Sequence, residues 1–165
     1  MDTGSIDISG EEIFHVGGSS NNSDFFVERS DDMITVDAVT DALDPVTEFI
    51  DEYLKKNNCS SKVRNEIRLA VEEIFINICS YAYKPDRGDI RIICTVAEDQ
   101  SFITIQFSDT GIPFDPLQRE TPDTTGEHFL KKAGGFGIHL VKQLMDEVTY
   151  DYKDGKNILK IKRLL

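Results

Sequence analysis

The chain has 165 residues, the size of one domain with a core of its own, and its 39% hydrophobic and 29% charged content suits a soluble globular fold. A formal net charge of -12 disfavours nucleic acid and membrane surfaces as direct partners, and no apolar run approaches the ~20 residues that span a bilayer. The acidic start MDTGSIDISGEE lacks the features of a signal peptide, so a cytoplasmic location is expected. Cys59, Cys79 and Cys94 show no C-x-x-C spacing, which indicates neither a disulfide framework nor a zinc site and leaves buried free thiols as the reading.

Residues 1 to about 24 are rich in Gly, Ser, Asn and Asp, and GGSSNNSD reads as a flexible connector. We therefore expect a flexible extension over 1–30 and a compact domain over 31–165. Phe25 to Val27 and Met33 to Val36 flank a turn, and of these two runs the second has the stronger strand pattern. In LDPVTEFIDEYLKKNN, Asp44 is the expected N-cap and Pro45 the first helical residue, with Val46, Phe49, Ile50, Tyr53 and Leu54 recurring at helical spacing. A second helix opens at Ser60 or Ser61 and runs to about Tyr83, with Val63, Ile67, Ala70, Val71, Ile74, Ile78 and Tyr81 as its apolar stripe.

DIRIICTV and FITIQF alternate apolar and polar residues and predict an antiparallel hairpin. The polar stretch from Leu117 to Lys132 is too long for a routine connection and is a candidate mobile lid. GGFGIHLVKQLMDEV follows, a glycine-rich turn opening a helix near Ile138, and then a hairpin around Asp154-Gly155. The fold class this order predicts is α+β: a two-layer α/β sandwich whose mixed, mostly antiparallel sheet carries helices on one face.

Three segments carry candidate chemistry. Glu73 and Asn77, four apart, are neighbours on the edge of the second helix; a carboxylate there suits a general base and an amide oxygen suits Mg²⁺. In FSDTGIPFDP, Asp109 can accept from an exocyclic amine, while Gly111 permits a close approach that a Cβ would obstruct. Gly134, Gly135, Phe136 and Gly137 lead into the helix at Ile138, where exposed amides and glycines suit a phosphate and Lys131 and Lys132 add charge. Taken singly, these segments equally describe a solvated helix edge, a strand-ending turn and a glycine turn; no G-K-[ST] closes the last into a Walker motif.

Together and in this order, LAVEEIFINICSYAY, FSDTGIPFDP and GGFGIHLVKQLMDEV resemble the N box and the two glycine boxes of the GHKL (Bergerat-fold, histidine kinase-like) ATPases. The resemblance is specifically to the bacterial anti-sigma factor serine/threonine kinases, and it runs from about Met33 to the end of the sequence. It implies ATP and Mg²⁺ as cofactors, with Glu73 as the base, Asn77 as the Mg²⁺ ligand and Asp109 as the reader of adenine beside Gly111. By the same resemblance Gly134, Gly135, Phe136, Gly137 and Ile138 form the segment that meets the phosphates.

The implied function is that of a transferase in transcription regulation. The kinase phosphorylates a serine or threonine of an anti-anti-sigma (antagonist) protein, binds a sigma factor and forms a homodimer. Ser80 stands where many relatives carry a basic residue, so the alternative is a nucleotide-binding partner-switch module that sequesters a sigma factor or other regulator without turnover. His139 has no adjacent carboxylate partner and is not assigned to catalysis, and His15 and His128 are unassigned surface residues.

Overall fold

A computed structural model describes residues 4–6, 12–17, 24–83, 88–118 and 135–165, with side chains from residue 25 onward apart from those of Gly135 and Phe136. The expected lid beyond Gln118, with Lys131, Lys132 and Gly134, lies outside the described residues, as does most of the GGSSNNSD connector. Among the described residues, eight strands form one sheet in the order β1-β2-β3-β4-β5-β6-β8-β7, with every pairing antiparallel, and three α-helices cover one face of it, so the expected α+β sandwich stands, without a parallel pair among these strands.

The first three strands correct the expectation of a flexible extension. β1 (Gly4–Ile6), β2 (Glu12–Gly17) and β3 (Asp24–Arg29) pair in succession, and β3 continues onto β4 (Met33–Asp37). The physical reason is visible in β3, where Phe25 and Val27 alternate into the core at 6% and 3% exposure. The Asp37 carboxylate also accepts from the Phe26 amide at 3.0 Å, which ties the two strands.

After β4 a 3-10 turn (Thr40–Ala42) runs directly into α1 (Leu43–Lys56). The expected cap at Asp44 is therefore corrected: Ala42 holds the N-cap position without a side-chain cap, and Asp44 lies inside the first turn. Ala42 is fully buried and Leu43 packs on the core, which starts the helix earlier than its polar residues suggest. An acidic residue in that turn still opposes the helix dipole favourably. Asn58, at φ 57°, ends the helix in the left-handed conformation that asparagine tolerates.

α2 (Ser61–Tyr81) begins as expected, with Ser60 as N-cap accepting from the Val63 amide at 3.3 Å. Val63, Ile67, Ala70, Val71, Ile74 and Phe75 face inward. The hairpin of β5 (Asp89–Val96) and β6 (Phe102–Asp109) sets Ile90, Ile92 and Cys94 beside Ile103, Ile105 and Phe107 on the same face. α3 (Gly135–Leu144) buries Ile138 and Val141 against this layer. β7 (Glu147–Lys153) and β8 (Lys156–Leu164) then close the sheet through a two-residue turn with Asp154 at φ 53° and Gly155 at φ 75°, the hand that hairpin turns favour.

The order of these last strands places β8 between β6 and β7, so the inward residues Asn157, Leu159 and Ile161 lie alongside Asp109, Phe107 and Ile105. At the other end of β8, the Arg163 guanidinium donates twice to Glu66 on α2, at 3.0 and 2.8 Å, and once to Asp146 at 2.7 Å. Such a forked, charge-assisted contact fixes the N-terminal half of α2 over the sheet. All three cysteines are free, with Cys94 buried and Cys59 and Cys79 half-buried. Burial pushes the Cys94 thiol up and that of Cys79 to about 12, so neither is a reactive thiolate at neutral pH.

Candidate functional site

The C-terminal half of α2 and the ends of β6 and β8 enclose a cleft lined by Ile74, Asn77, Ile78, Asp109, Ile138 and Asn157, among others. Tyr81, Ile112, Phe114 and Tyr150 border it; Tyr81 and Phe114 stack with centroids 6.0 Å apart, and Ile112 is 61% exposed. The cleft is thus an apolar slot with a few polar groups, the composition of a small-molecule site.

Asp109 is the last residue of β6 and follows the inward alternation of Ile103, Ile105 and Phe107, which carries its carboxylate to 6% exposure. Its Oδ1 accepts from the Gly111 amide at 2.9 Å and from Asn157 Nδ2 at 2.9 Å. Among the described residues, Oδ2 has no hydrogen-bond partner. Burial raises the Asp109 pKa above the usual carboxylate range; the Asn157 and Gly111 donors oppose that rise, and the charge of Asp89 adds to it.

The loop after Asp109 is pinned at its backbone amides. Thr110 N donates to the Tyr83 hydroxyl at 2.8 Å, and that hydroxyl donates to the Asp89 carbonyl at 2.9 Å. Ile112 N donates to the Ala82 carbonyl at 3.0 Å, and Phe114 N to Asn157 Oδ1 at 3.1 Å. Gly111 also has a neighbour within the protein: a Cβ on it would stand 2.5 Å from the Ala82 carbonyl oxygen, so the end of α2 by itself requires a glycine here.

The second glycine segment is placed differently than expected. Gly135 and Phe136 begin α3 itself, and Gly137 and Ile138 lie in its first turn, buried, where a connecting turn was expected up to Ile138. The cause is the packing of α3 on α2: a Cβ on Gly137 would overlap Glu73 Oε2. Glu73 is half-buried and lies against that first helical turn, not in the lining of the cleft. Asn77 and Ser80 are half-buried on α2; the Asn77 amide lines the cleft and makes no hydrogen bond among the described residues.

The site therefore joins Asn77, Asp109 and Ile138 in one cleft, with Glu73 and Gly137 touching beside it and Gly111 buttressing the loop. Asn157, Tyr150 and Tyr83 escaped the sequence reading. Asn157 had a visible signal, because it breaks the apolar alternation that Leu159 and Ile161 continue.

An apolar cleft over a buried carboxylate, beside a glycine-started helix on an antiparallel sheet, is a site suited to a small ligand with a hydrogen-bond donor. The family model of the histidine kinase-like ATPase domain matches residues 36–163, and the chain belongs to that family. Its similar proteins include the serine/threonine-protein kinase BtrW of Bordetella bronchiseptica, 25% identical over 76% of this chain and 85% of the relative. The serine-protein kinase RsbW of Bacillus cereus is 30% identical over 59% of this chain, which spans 62% of that relative's length. Among solved structures, the histidine kinase domain from the Erythrobacter litoralis EL346 blue-light activated histidine kinase matches with a TM-score of 0.48 and 16% identity. That match covers 75% of this chain and 59% of that one.

Proposed function

We propose that this protein binds ATP in the cleft between α2 and the sheet, with Mg²⁺, and transfers the γ-phosphoryl group to a serine or threonine of a partner protein. The observation that carries this reading is the Asp109 carboxylate, buried between apolar walls with Oδ1 doubly occupied and Oδ2 left for a ligand. An acceptor so placed suits the exocyclic amine of adenine, while the Tyr81 and Phe114 rings offer flat surface to the base.

Mg²⁺ is held largely by phosphates and water and needs few protein ligands. The Asn77 amide oxygen, in the cleft and without a hydrogen bond among the described residues, fits that requirement and would hold the ion; among the same residues no cluster of three His, Cys, Asp or Glu offers a self-contained metal site. When bound, the ion neutralises charge on the phosphates. The first turn of α3, with Gly135 and Gly137 and the dipole behind them, supplies the amides that suit the phosphates, and Gly134 and Phe136 belong to the same segment.

In the transfer, the oxygen of the acceptor hydroxyl bonds to the γ-phosphorus as the bond to the bridging oxygen breaks, ADP leaves, and Glu73 takes the hydroxyl proton. The names and similarity of the two bacterial kinases support this reaction class. By the family resemblance, the acceptor is an anti-anti-sigma antagonist, the protein also sequesters a sigma factor in the cytoplasm, and it works as a homodimer. The test is incubation with labelled ATP and candidate acceptor proteins. Transfer to a hydroxyl, reduced about 10² to 10⁴-fold in Glu73→Ala with ATP binding retained, is expected. ATP binding without transfer to any acceptor leaves the nucleotide-gated binding module, which the Ser80 substitution favours.

A further inference from the structure

Asn157 is the first inward-facing residue of β8 and occupies a position that the pattern of the strand reserves for an apolar side chain. It is 7% exposed, and burying an amide is unfavourable unless its hydrogen-bonding capacity is filled. Here it is filled by five partners. Nδ2 donates to Asp109 Oδ1 at 2.9 Å and to the carbonyls of Ile112 and Gly111 at 3.1 and 3.4 Å. Oδ1 accepts from the Tyr150 hydroxyl at 2.6 Å and from the Phe114 amide at 3.1 Å. These partners fix which end of the amide is which, since a carboxylate and two carbonyls require the NH₂ group and an N–H requires the oxygen.

The consequence falls on Asp109. An ionised carboxylate only accepts hydrogen bonds, whereas a protonated one can donate to a carbonyl. Burial works toward the protonated form, and the Asn157 amide works against it. The other ionisable or charged groups near Asp109 are Asp89 and Arg91 on β5, Tyr83 at the end of α2, Tyr150 on β7 and Lys156 at the start of β8. Glu28 lines the polar cleft that adjoins the strand on its other side.

We propose that Asn157 is a specificity-determining positioning residue: by donating to Asp109 Oδ1 it keeps that carboxylate acceptor-only, so the cleft takes a purine with an exocyclic amine and rejects one with a carbonyl there. The inference rests on the ATP-binding reading and deepens it. Asn157 acts through Asp109 and the loop it clamps.

The test is calorimetric binding of ATP and of inosine triphosphate, its 6-carbonyl counterpart, to wild type, Asn157→Leu, Asn157→Thr and Tyr150→Phe between pH 6 and 9. Wild type is expected to prefer ATP. In Asn157→Leu the ratio falls by about 10-fold or more, the worth of a hydrogen bond to a charged group, and falls furthest toward acid, because without the Asn157 donor burial favours the protonated carboxyl. Asn157→Thr, whose hydroxyl can still donate to Asp109, keeps most of the ratio, and Tyr150→Phe lowers it less than the leucine change does. A ratio and pH profile in Asn157→Leu equal to those of wild type overturn the inference while leaving ATP binding intact. Wild type that binds neither nucleotide overturns the ATP reading itself. If the leucine variant does not fold, Tyr150→Phe decides: a lowered ratio supports the role of Asn157, and an unchanged one removes it.

Discussion

The two glycines of the site face opposite kinds of neighbour. Gly111 presses on the backbone carbonyl of Ala82, in a loop whose amides and carbonyls are bonded to Tyr83, Ala82, Asp109 and Asn157. Gly137 presses on the tip of the Glu73 side chain, at a helix start beside an amide, that of Asn77, with no bond among the described residues. The first region is finished before any ligand arrives. In the second, the polar groups are held near one another with capacity to spare, as expected where charge must be met during a reaction rather than at rest. The region around Gly111 is thus pre-organised and the one around Gly137 adjustable, which under the proposed function suits the first to recognition of the base and the second to chemistry.

The largest expected effect breaks the finished side. Gly111→Ala places a methyl group 2.5 Å from a carbonyl oxygen that cannot move without disturbing the end of α2. Overpacking of this kind costs about 3 kcal/mol, enough to lower the thermal midpoint by roughly 10 °C and to abolish ATP binding, which a melting curve and calorimetry would register.

Gly137→Ala is the matching probe of the adjustable side. Its methyl group meets the end of a flexible side chain, and alanine gains helix propensity, so stability should stay within about 1 kcal/mol of wild type. Glu73 must swing away, however, and phosphoryl transfer should fall about 10² to 10⁴-fold in the labelled-ATP assay while ATP still binds. Equal losses of stability in the two alanine variants would erase the distinction between the regions.

The smallest effect is a pH dependence. Because burial raises the pKa of Asp109 in the folded protein, its ionisation opposes folding: stability declines as pH rises from the ordinary carboxylate range, ~3.9, through the raised folded value, and stays lowered above it. Asp109→Asn keeps an acceptor for Gly111 and Asn157 and removes that decline. In urea titrations between pH 4 and 8 it should be at least as stable as wild type at neutral pH, with the gap shrinking toward acid. Its ATP affinity should nevertheless fall about 10 to 100-fold, since Oδ2 becomes a donor facing a donor.

Much of the molecule was legible because its signals are local. α2 with its Ser60 cap, the β5–β6 hairpin and the Asp154-Gly155 turn all follow from periodicity and turn residues within a few positions. The early strands were obscured because Gly, Ser and Asn dilute the alternation around them, and only pairing with β4 gives Phe25 and Val27 a core to enter. Asp109 could be singled out from its own loop, but Asn157 lies 48 residues away and acquires its meaning only when β8 pairs with β6. That Gly111 lies against the end of α2 was not legible, since no local pattern tells that Ala82 will sit beside it.

The position of β8 between β6 and β7 has a consequence for synthesis. Until the sequence from Lys156 onward has been made, β6 has an unpaired edge, the Asp109 carboxylate lacks its side-chain donor, and the Phe114 amide has no acceptor from Asn157. A nascent chain can therefore form the hairpins from β3 to β6 and lay α1 and α2 on them while still unable to shape the pocket for a base. During that interval the open edge of β6 is the surface on which chaperones or misplaced strands would act.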